Sequence, residues 1–257
     1  MFLEPFYHEA ADGVRISPDQ ASRFAKEVAG DFNPIHDPDA KRFCVPGDLL
    51  FALVLQRYGL SQGMCFTFSG MVGGDTVLHF PAHAEPRFAV TDTRERICLR
   101  VEREGESSRD ADLVRAMACS YVAFSGQNFP HVLVPLLREQ GVMINPERPL
   151  VIYESMSVRL DHLDFSEPKL EHAEHRLEVK GKRGDVRLAF SIKADGVTVG
   201  QGFKKLLVSG LKPYDEAVTQ GLMESYLRQK AAYAAPGVKN ARAHGVRGVE
   251  QGGNGSA

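Results

Sequence analysis

Apolar residues recur at helical spacing early in the chain, at Ala21, Phe24, Ala25 and Val28, and predict an amphipathic helix. Ser17, Pro18 and Gln20 stand ahead of it as cap, first helical residue and capping-box partner. Gly30 fits just past its end, where a left-handed backbone is cheap only for glycine. A lead strand is expected around Val14 and Ile16. Asn33-Pro34 holds the chain extended, because the residue before proline avoids the helical region. Asp37-Pro38 reads as the cap and first position of a short helix to about Phe43. The run 49–58, LLFALVLQRY, is apolar around most of its circumference, as in a helix buried on all sides. Asp48 is placed to cap it and Gly59 to end it.

Strands follow. Residues 65–68 are short and aromatic, 87–90 form another candidate, and Ile97, Leu99 and Val101 alternate with polar residues. Residues 114–124 set Val114, Ala116, Ala118, Ser120, Val122 and Phe124 against the intervening side chains, and period two predicts a strand there. The polar stretch 104–112 reads as a loop or hairpin tip, and glycine-rich 70–75 as a hairpin turn. The pattern then restarts: a helix opened by Phe129-Pro130, then strands around 156–160, 177–179, 186–192 and 197–208, with a tight turn at Ala194-Asp195-Gly196. Helix followed by antiparallel strands thus occurs twice, an architectural repeat without visible residue identity. A last helix is expected from Lys212-Pro213 to about Ala234. Residues 236–257, rich in Gly, Ala and charge, are expected to be disordered.

Composition narrows the class. A chain of 257 residues, 43% hydrophobic and 25% charged, has ample material for a core. A net charge of −2 offers no basic excess for phosphates and argues against a nucleic-acid binder. The first residues carry no basic segment of a secretory signal, and the longest apolar run, 49–55, is far short of a membrane span. Cys44, Cys65, Cys98 and Cys119 show no metal or disulfide spacing, so free thiols in a reducing cytoplasm are expected.

Potential chemistry is densest at Asp31, Asn33 and His36. A histidine beside a carboxylate can activate water or shuttle a proton, and an amide can hold either partner without adding charge. Gly47 and Asp48 precede the apolar helix, whose first N–H groups could bind a carbonyl that becomes an oxyanion. Together these parts point to adding or removing water beside an activated carbonyl. The same residues also make an ordinary turn, since Asp, Asn and Asn-Pro are common there.

The run 24–40, through Phe24, Gly30, Asp31, Asn33, Pro34, Ile35, His36 and Ala40, resembles the signature of the hydratase 2 or MaoC-like dehydratase family. The resemblance covers about the first sixth of the chain. It implies a hot-dog fold, an antiparallel sheet wrapped around a long apolar helix. With the restart, it implies an α+β double hot-dog, two antiparallel sheets each on a central helix, with a C-terminal helix and tail. The implied divisions are a first half at 1–128, a second at 129–211, a helix at 212–235 and a tail at 236–257. It further implies that Asp31 and His36 activate the water added to a trans-2-enoyl thioester, giving the (R)-3-hydroxyacyl thioester, or the reverse. Asn33 would order the pair, and the N–H of Gly47, with that of Asp48, would hold the thioester carbonyl. No metal or redox cofactor is implied. The substrate carrier would be coenzyme A or acyl carrier protein, and double units could pair as a homodimer. Where that family usually has His-Gly, this chain has Pro46-Gly47-Asp48, and the segment before it is short. Over its whole length the chain resembles an uncharacterised proteobacterial family that brings no activity with it.

Other residues weigh less. Pro81 between His79 and His83 breaks any helical metal pair. His172 and His175, with Glu171 and Glu174, read as a solvated face. Arg94, Arg96, Arg100 and Arg103 form a basic ladder that could meet a coenzyme A phosphate but reads first as a solvated strand face. Two further readings stay open: a binding protein that holds an acyl chain or partner without turnover, and, ranked last, a thioesterase using a carboxylate on the central helix, where Asp48 is available only at the start.

Overall fold

The computed structural model describes residues 2–234. The tail expected at 236–257 lies outside them. Ten strands form one antiparallel sheet: β1 (His8–Ala10), β2 (Gly13–Arg15), β3 (Leu60–Phe68), β4 (Leu78–His79), β5 (Arg87–Asp92), β6 (Ile97–Ser108), β8 (Val151–Leu160), β9 (Lys169–Lys180), β10 (Arg183–Ala194) and β11 (Val197–Ser209). Between them in sequence comes β7 (Val142–Met143), which pairs with β12 (Lys212–Pro213) in a small second sheet. The large sheet runs β1-β2-β4-β5-β6-β3-β8-β11-β10-β9. The two sheets expected from the repeat are therefore joined as one. β3 pairs with β6 on one side and β8 on the other, with Cys65 opposite Ser157 and Phe66 opposite Met156.

The described residues also form five α-helices: α1 (Pro18–Phe24), α2 (Gly47–Tyr58), α3 (Ala111–Gly126), α4 (Val134–Glu139) and α5 (Glu216–Ala234). The capping box predicted for α1 is formed, and α1 continues as a π-turn over Ala25–Ala29 to a left-handed Gly30. In α2, residues 48–55 are all buried, as its apolar circumference requires. Phe51 packs on Phe66 and Tyr121, and Tyr121 on Phe190, so α2, α3 and both halves of the sheet share one core. A smaller apolar cluster joins Leu133 and Leu137 to Leu188, Leu206 and Val208.

The strand predicted over 114–124 is instead α3. Small apolar residues on both alternating registers mimic a strand, but Leu113, Val114, Met117, Ala118, Tyr121 and Val122 are buried at helical spacing. The Asp110 carboxylate accepts from the Leu113 N–H and starts that helix. The boundary expected at 128/129 falls inside a helical run over 111–139, broken at Gln127 and π-helical over Phe129–Leu133. Pro135 lies just after that π-turn, and its missing N–H removes a bond a regular helix would need. The helix expected after Asp37-Pro38 is absent: a 3-10 turn forms over Pro34–His36, and Asp37 is extended and paired with Lys26 at 2.6 Å. Polar 104–108 extends β6 rather than looping. Residues 70–75 join β3 to β4, which are not neighbours in the sheet, so they form no hairpin. The Val72 carbonyl accepts from Val45 in that segment. The last helix starts at Glu216, capped by Asp215, after Lys212-Pro213 has paired as β12. The Asp195-Gly196 turn forms as predicted, both residues at positive φ.

Candidate functional site

The site loop is built by what stops α1. The Gly30 N–H closes the π-turn on the Ala25 carbonyl, and the Asp31 N–H donates to the same carbonyl at 2.8 Å. One Asp31 oxygen then accepts from the Asn33 N–H at 2.9 Å, and the Asn33 side-chain oxygen accepts from the Ile35 N–H at 3.2 Å. These two short-range bonds turn the chain into the 3-10 turn that carries His36. Asn33 thus fixes Asp31 through its backbone and caps the turn with its side chain. The arrangement differs from the side-chain contact to Asp31 or His36 that the sequence suggested.

His36 sits with Nδ1 2.7 Å from the Cys44 carbonyl. A carbonyl only accepts, so Nδ1 carries the proton, and in the neutral ring Nε2 is left with its lone pair. Nε2 lies 3.6 Å from the free Asp31 oxygen. Two acceptors at that spacing seat a donor such as water across them. Both side chains line a cavity of about 330 Å³, and their side-chain exposures of 12% and 24% keep them reachable from it.

The start of α2 lines the same cavity. Gly47 and Asp48 are its first two residues, whose N–H groups have no carbonyl to bond within the helix. A side chain at 47 would lie 2.9 Å from Tyr153 and 3.1 Å from Phe68, so only glycine lets these rings close over the helix start. Pro46, not Asp48, is the residue before the first turn. The Asp48 carboxyl does not cap. It turns inward, is 7% exposed, and accepts from the Ser125 hydroxyl at 2.7 Å. Ser125 in turn accepts from the Lys204 ammonium, which lies 4.0 Å from the second Asp48 oxygen and 3.9 Å from the centre of the Tyr153 ring. Burial pushes the Asp48 carboxyl above its ordinary value, with Lys204 and the Ser125 bond opposing. Tyr153 and Tyr121 share a hydroxyl hydrogen bond, and burial holds both well above the usual phenol range.

The loop is locked from outside by α5. The Tyr226 hydroxyl, 3.2 Å from the Gly30 carbonyl and 3.4 Å from that of Gly126, also accepts from the Phe32 N–H at 3.4 Å. Burial pushes that phenol up to about 12, and the neighbouring Asp31 carboxylate adds to the shift. Gly126 is fixed by contact: a Cβ there would fall 2.0 Å from the Ala29 carbonyl.

A family model described as "Protein of unknown function (DUF3581)" matches residues 1–217. The chain belongs to that family. No curated protein matches it. Among solved structures it is similar to an acyl-CoA thioesterase II from Mycobacterium marinum, at 12% identity and TM-score 0.38, covering 84% of this chain and all of that one. It is also similar to a tesB protein from Mycobacterium avium subs paratuberculosis, at 9% identity and TM-score 0.41, over 80% and 96% of the two chains. A MaoC-like dehydratase matches at 9% identity and TM-score 0.39, over 78% and 97%. Likeness at this level assigns no activity.

Ser125, Lys204 and Tyr226 carried no signal in the sequence. Ser125 follows the strand expected over 114–124, and Lys204 lies within the one expected over 197–208, with nothing local to single out either. Only knowing that 111–126 is a helix would have put Ser125 beside Asp48. Arg96 of the basic ladder bonds Asp92, and Arg103 bonds Ser61. Among the described residues no helix is long and apolar enough to cross a membrane.

Proposed function

We propose that this chain adds water to trans-2-enoyl thioesters, or removes it from (R)-3-hydroxyacyl thioesters, on a double hot-dog scaffold. The observation that supports this reading is the Asp31–His36 pair, 3.6 Å apart on one cavity with the free N–H groups at the start of α2. In the forward direction the Gly47 N–H, with that of Asp48, holds the thioester carbonyl. His36 Nε2 takes a proton from the water as its oxygen bonds to C3, and the C2–C3 π electrons move toward the carbonyl. The Asp31 carboxylate stabilises the imidazolium, and the same proton returns to C2. The thioester itself acidifies C2, so this chemistry calls for no metal or redox cofactor. Coenzyme A or acyl carrier protein would carry the acyl group, the enzyme would work in the cytoplasm, and two double units could pair.

A second reading, thioester hydrolysis, draws support from Asp48, a carboxyl on the central helix with one oxygen free of hydrogen bonds. One experiment separates them. Purified protein is given crotonyl-CoA and longer enoyl-CoAs, following enoyl absorbance and free thiol together. Hydration removes absorbance without thiol, and hydrolysis releases thiol. Asp31→Asn and His36→Ala are each expected to lower hydration by about 10²–10⁴-fold. Turnover indifferent to both substitutions refutes the assignment of the pair. Binding of acyl-CoA without turnover at any length would instead fit a non-catalytic acyl carrier.

A further inference from the structure

The wall of the cavity beyond Asp31 and His36 is chemically odd for an aliphatic chain. Phe129, Leu133, Val151 and Leu206 give it an apolar side. Set among them are Asp48, Ser125, Asn128 and Lys204, all lining the same cavity and each 4–7% exposed. They come from α2, α3, the turn after α3, and β11, so the fold brings them together from distant parts of the sequence. Ser125 is satisfied by Asp48 and Lys204. Asn128 is not: neither its side-chain oxygen nor its nitrogen has a partner, and one Asp48 oxygen is likewise unbonded. A buried amide with both ends open, on the same cavity as a carboxyl with one end open, costs stability unless something in the cavity completes it.

We infer that this pocket takes an acyl group bearing a neutral substituent that both donates and accepts hydrogen bonds, most simply a hydroxyl. The inference rests on the acyl-thioester reading above. The charge balance selects neutral over anionic: the Lys204 ammonium is already matched by Asp48, so a carboxylate would meet a carboxyl with no uncommitted cation. The open groups select donor plus acceptor. The free Asp48 oxygen needs a donor, and Asn128 offers both an oxygen and an N–H. A methyl-ended chain would leave all three unpaired, whereas a hydroxyl gives its proton to one oxygen and accepts from the Asn128 amide.

The test uses the full chain and binding rather than turnover. Saturated acyl-CoAs of four to eight carbons are titrated by calorimetry in three series, ending in methyl, hydroxyl or carboxylate. At one or more lengths the hydroxyl series is expected to bind at least about tenfold tighter than the methyl series, the size of one satisfied buried hydrogen bond. Asn128→Leu is expected to abolish that preference while leaving methyl-series affinity equal or better. Ser125→Ala, a smaller change, is expected to reduce it, which keeps the test open if the leucine variant melts early. Methyl binding as tight as hydroxyl at every length, a carboxylate preference, or a hydroxyl preference that survives both substitutions overturns the inference. Binding of none of the three series overturns the acyl-thioester reading itself, and the inference with it.

Discussion

Lys204→Met keeps an unbranched side chain of similar length and removes the ammonium, with its hydrogen bond to Ser125 and its contact over the Tyr153 ring, which makes it a probe of the buried pair beneath the cavity. The ammonium lies 4.0 Å from the free Asp48 oxygen and bonds Ser125, which bonds the other oxygen. At that separation the attraction is about 4 kcal/mol with an effective dielectric of about 20. Breaking a buried pair by removing one partner costs about 3–5 kcal/mol, because the other charge is left uncompensated. The variant is therefore expected to lose about 3 kcal/mol in urea unfolding at about pH 8. Asp48→Asn/Lys204→Met is expected to regain most of it, since no lone charge remains. The pH dependence has a definite sign. Burial holds the Asp48 carboxyl above its ordinary value of 3.8, so the folded chain binds that proton more tightly than the unfolded one. Stability of this origin is present at low pH and lost as pH rises from the unfolded value through the folded one. Removing Lys204 raises the folded value further and widens that window. The deficit of Lys204→Met should then shrink between about pH 8 and about pH 5. A variant within about 0.5 kcal/mol of the parent at about pH 8, or one whose deficit grows on acidification, refutes the reasoning.

Tyr226→Phe keeps the ring against Phe32 but leaves the Phe32 N–H and the Gly30 carbonyl without their shared partner. It is expected to lose about 1–2 kcal/mol, visible as a lower urea midpoint, and to raise hydrogen exchange at Phe32. Gly126→Ala would place a methyl 2.0 Å from the Ala29 carbonyl and force the π-turn outward, with about 1–3 kcal/mol lost and a thermal melt that reports it. Burial and the adjacent His172 hold His175 below its ordinary value of 6.5, so the unfolded chain binds that proton first. Stability from this source is full above about pH 6.5 and falls as pH drops through it, and His175→Gln should flatten that acid limb in melts across the range.

What could be read from the sequence depended on whether a local rule had a competitor. The α1 capping box, the left-handed Gly30, the apolar α2 and the Asp195-Gly196 turn each follow from a few residues whose geometry is locally dictated. The stretch 114–124 was misread because alanine, serine and cysteine on both alternating registers satisfy period two and period 3.6 alike. The Asp110 cap and the spacing of Leu113, Met117 and Tyr121 decided for a helix once α2 lay alongside. Asp37-Pro38 carried an ordinary helix-start signal. The Lys26 ion pair, reaching eleven residues back, and the Asn33 turn just before Asp37 overrode it. The join of the two expected sheets through β3 and β8 is a long-range pairing that no local pattern announces.

The same distinction governs the site. Asp31, Asn33 and His36 are close in sequence, and bonds within their own loop, from the Asp31 and Asn33 turns to the His36–Cys44 contact, bring the Asp31 and His36 side chains to 3.6 Å. The turn at Pro46-Gly47-Asp48 is different, because its meaning lies in residues 77 and more positions from Asp48. Read locally, Asp48 puts a negative charge where a carbonyl oxygen would gain one. In the fold, α3 delivers Ser125 and β11 delivers Lys204, and the Asp48 carboxyl turns away from the helix start toward them. The first residues of α2 line the cavity with the Asp48 carboxylate countered by an ammonium. Asp48 and Lys204 must then act as a unit. Losing Asp48 alone strands a cation beside the proposed carbonyl site, and losing Lys204 alone strands an anion there. If the N–H groups hold the carbonyl, Lys204→Met should therefore depress kcat more than Asp48→Asn/Lys204→Met does. A double variant no more active than Lys204→Met would show that the charge balance at this turn has no part in the chemistry.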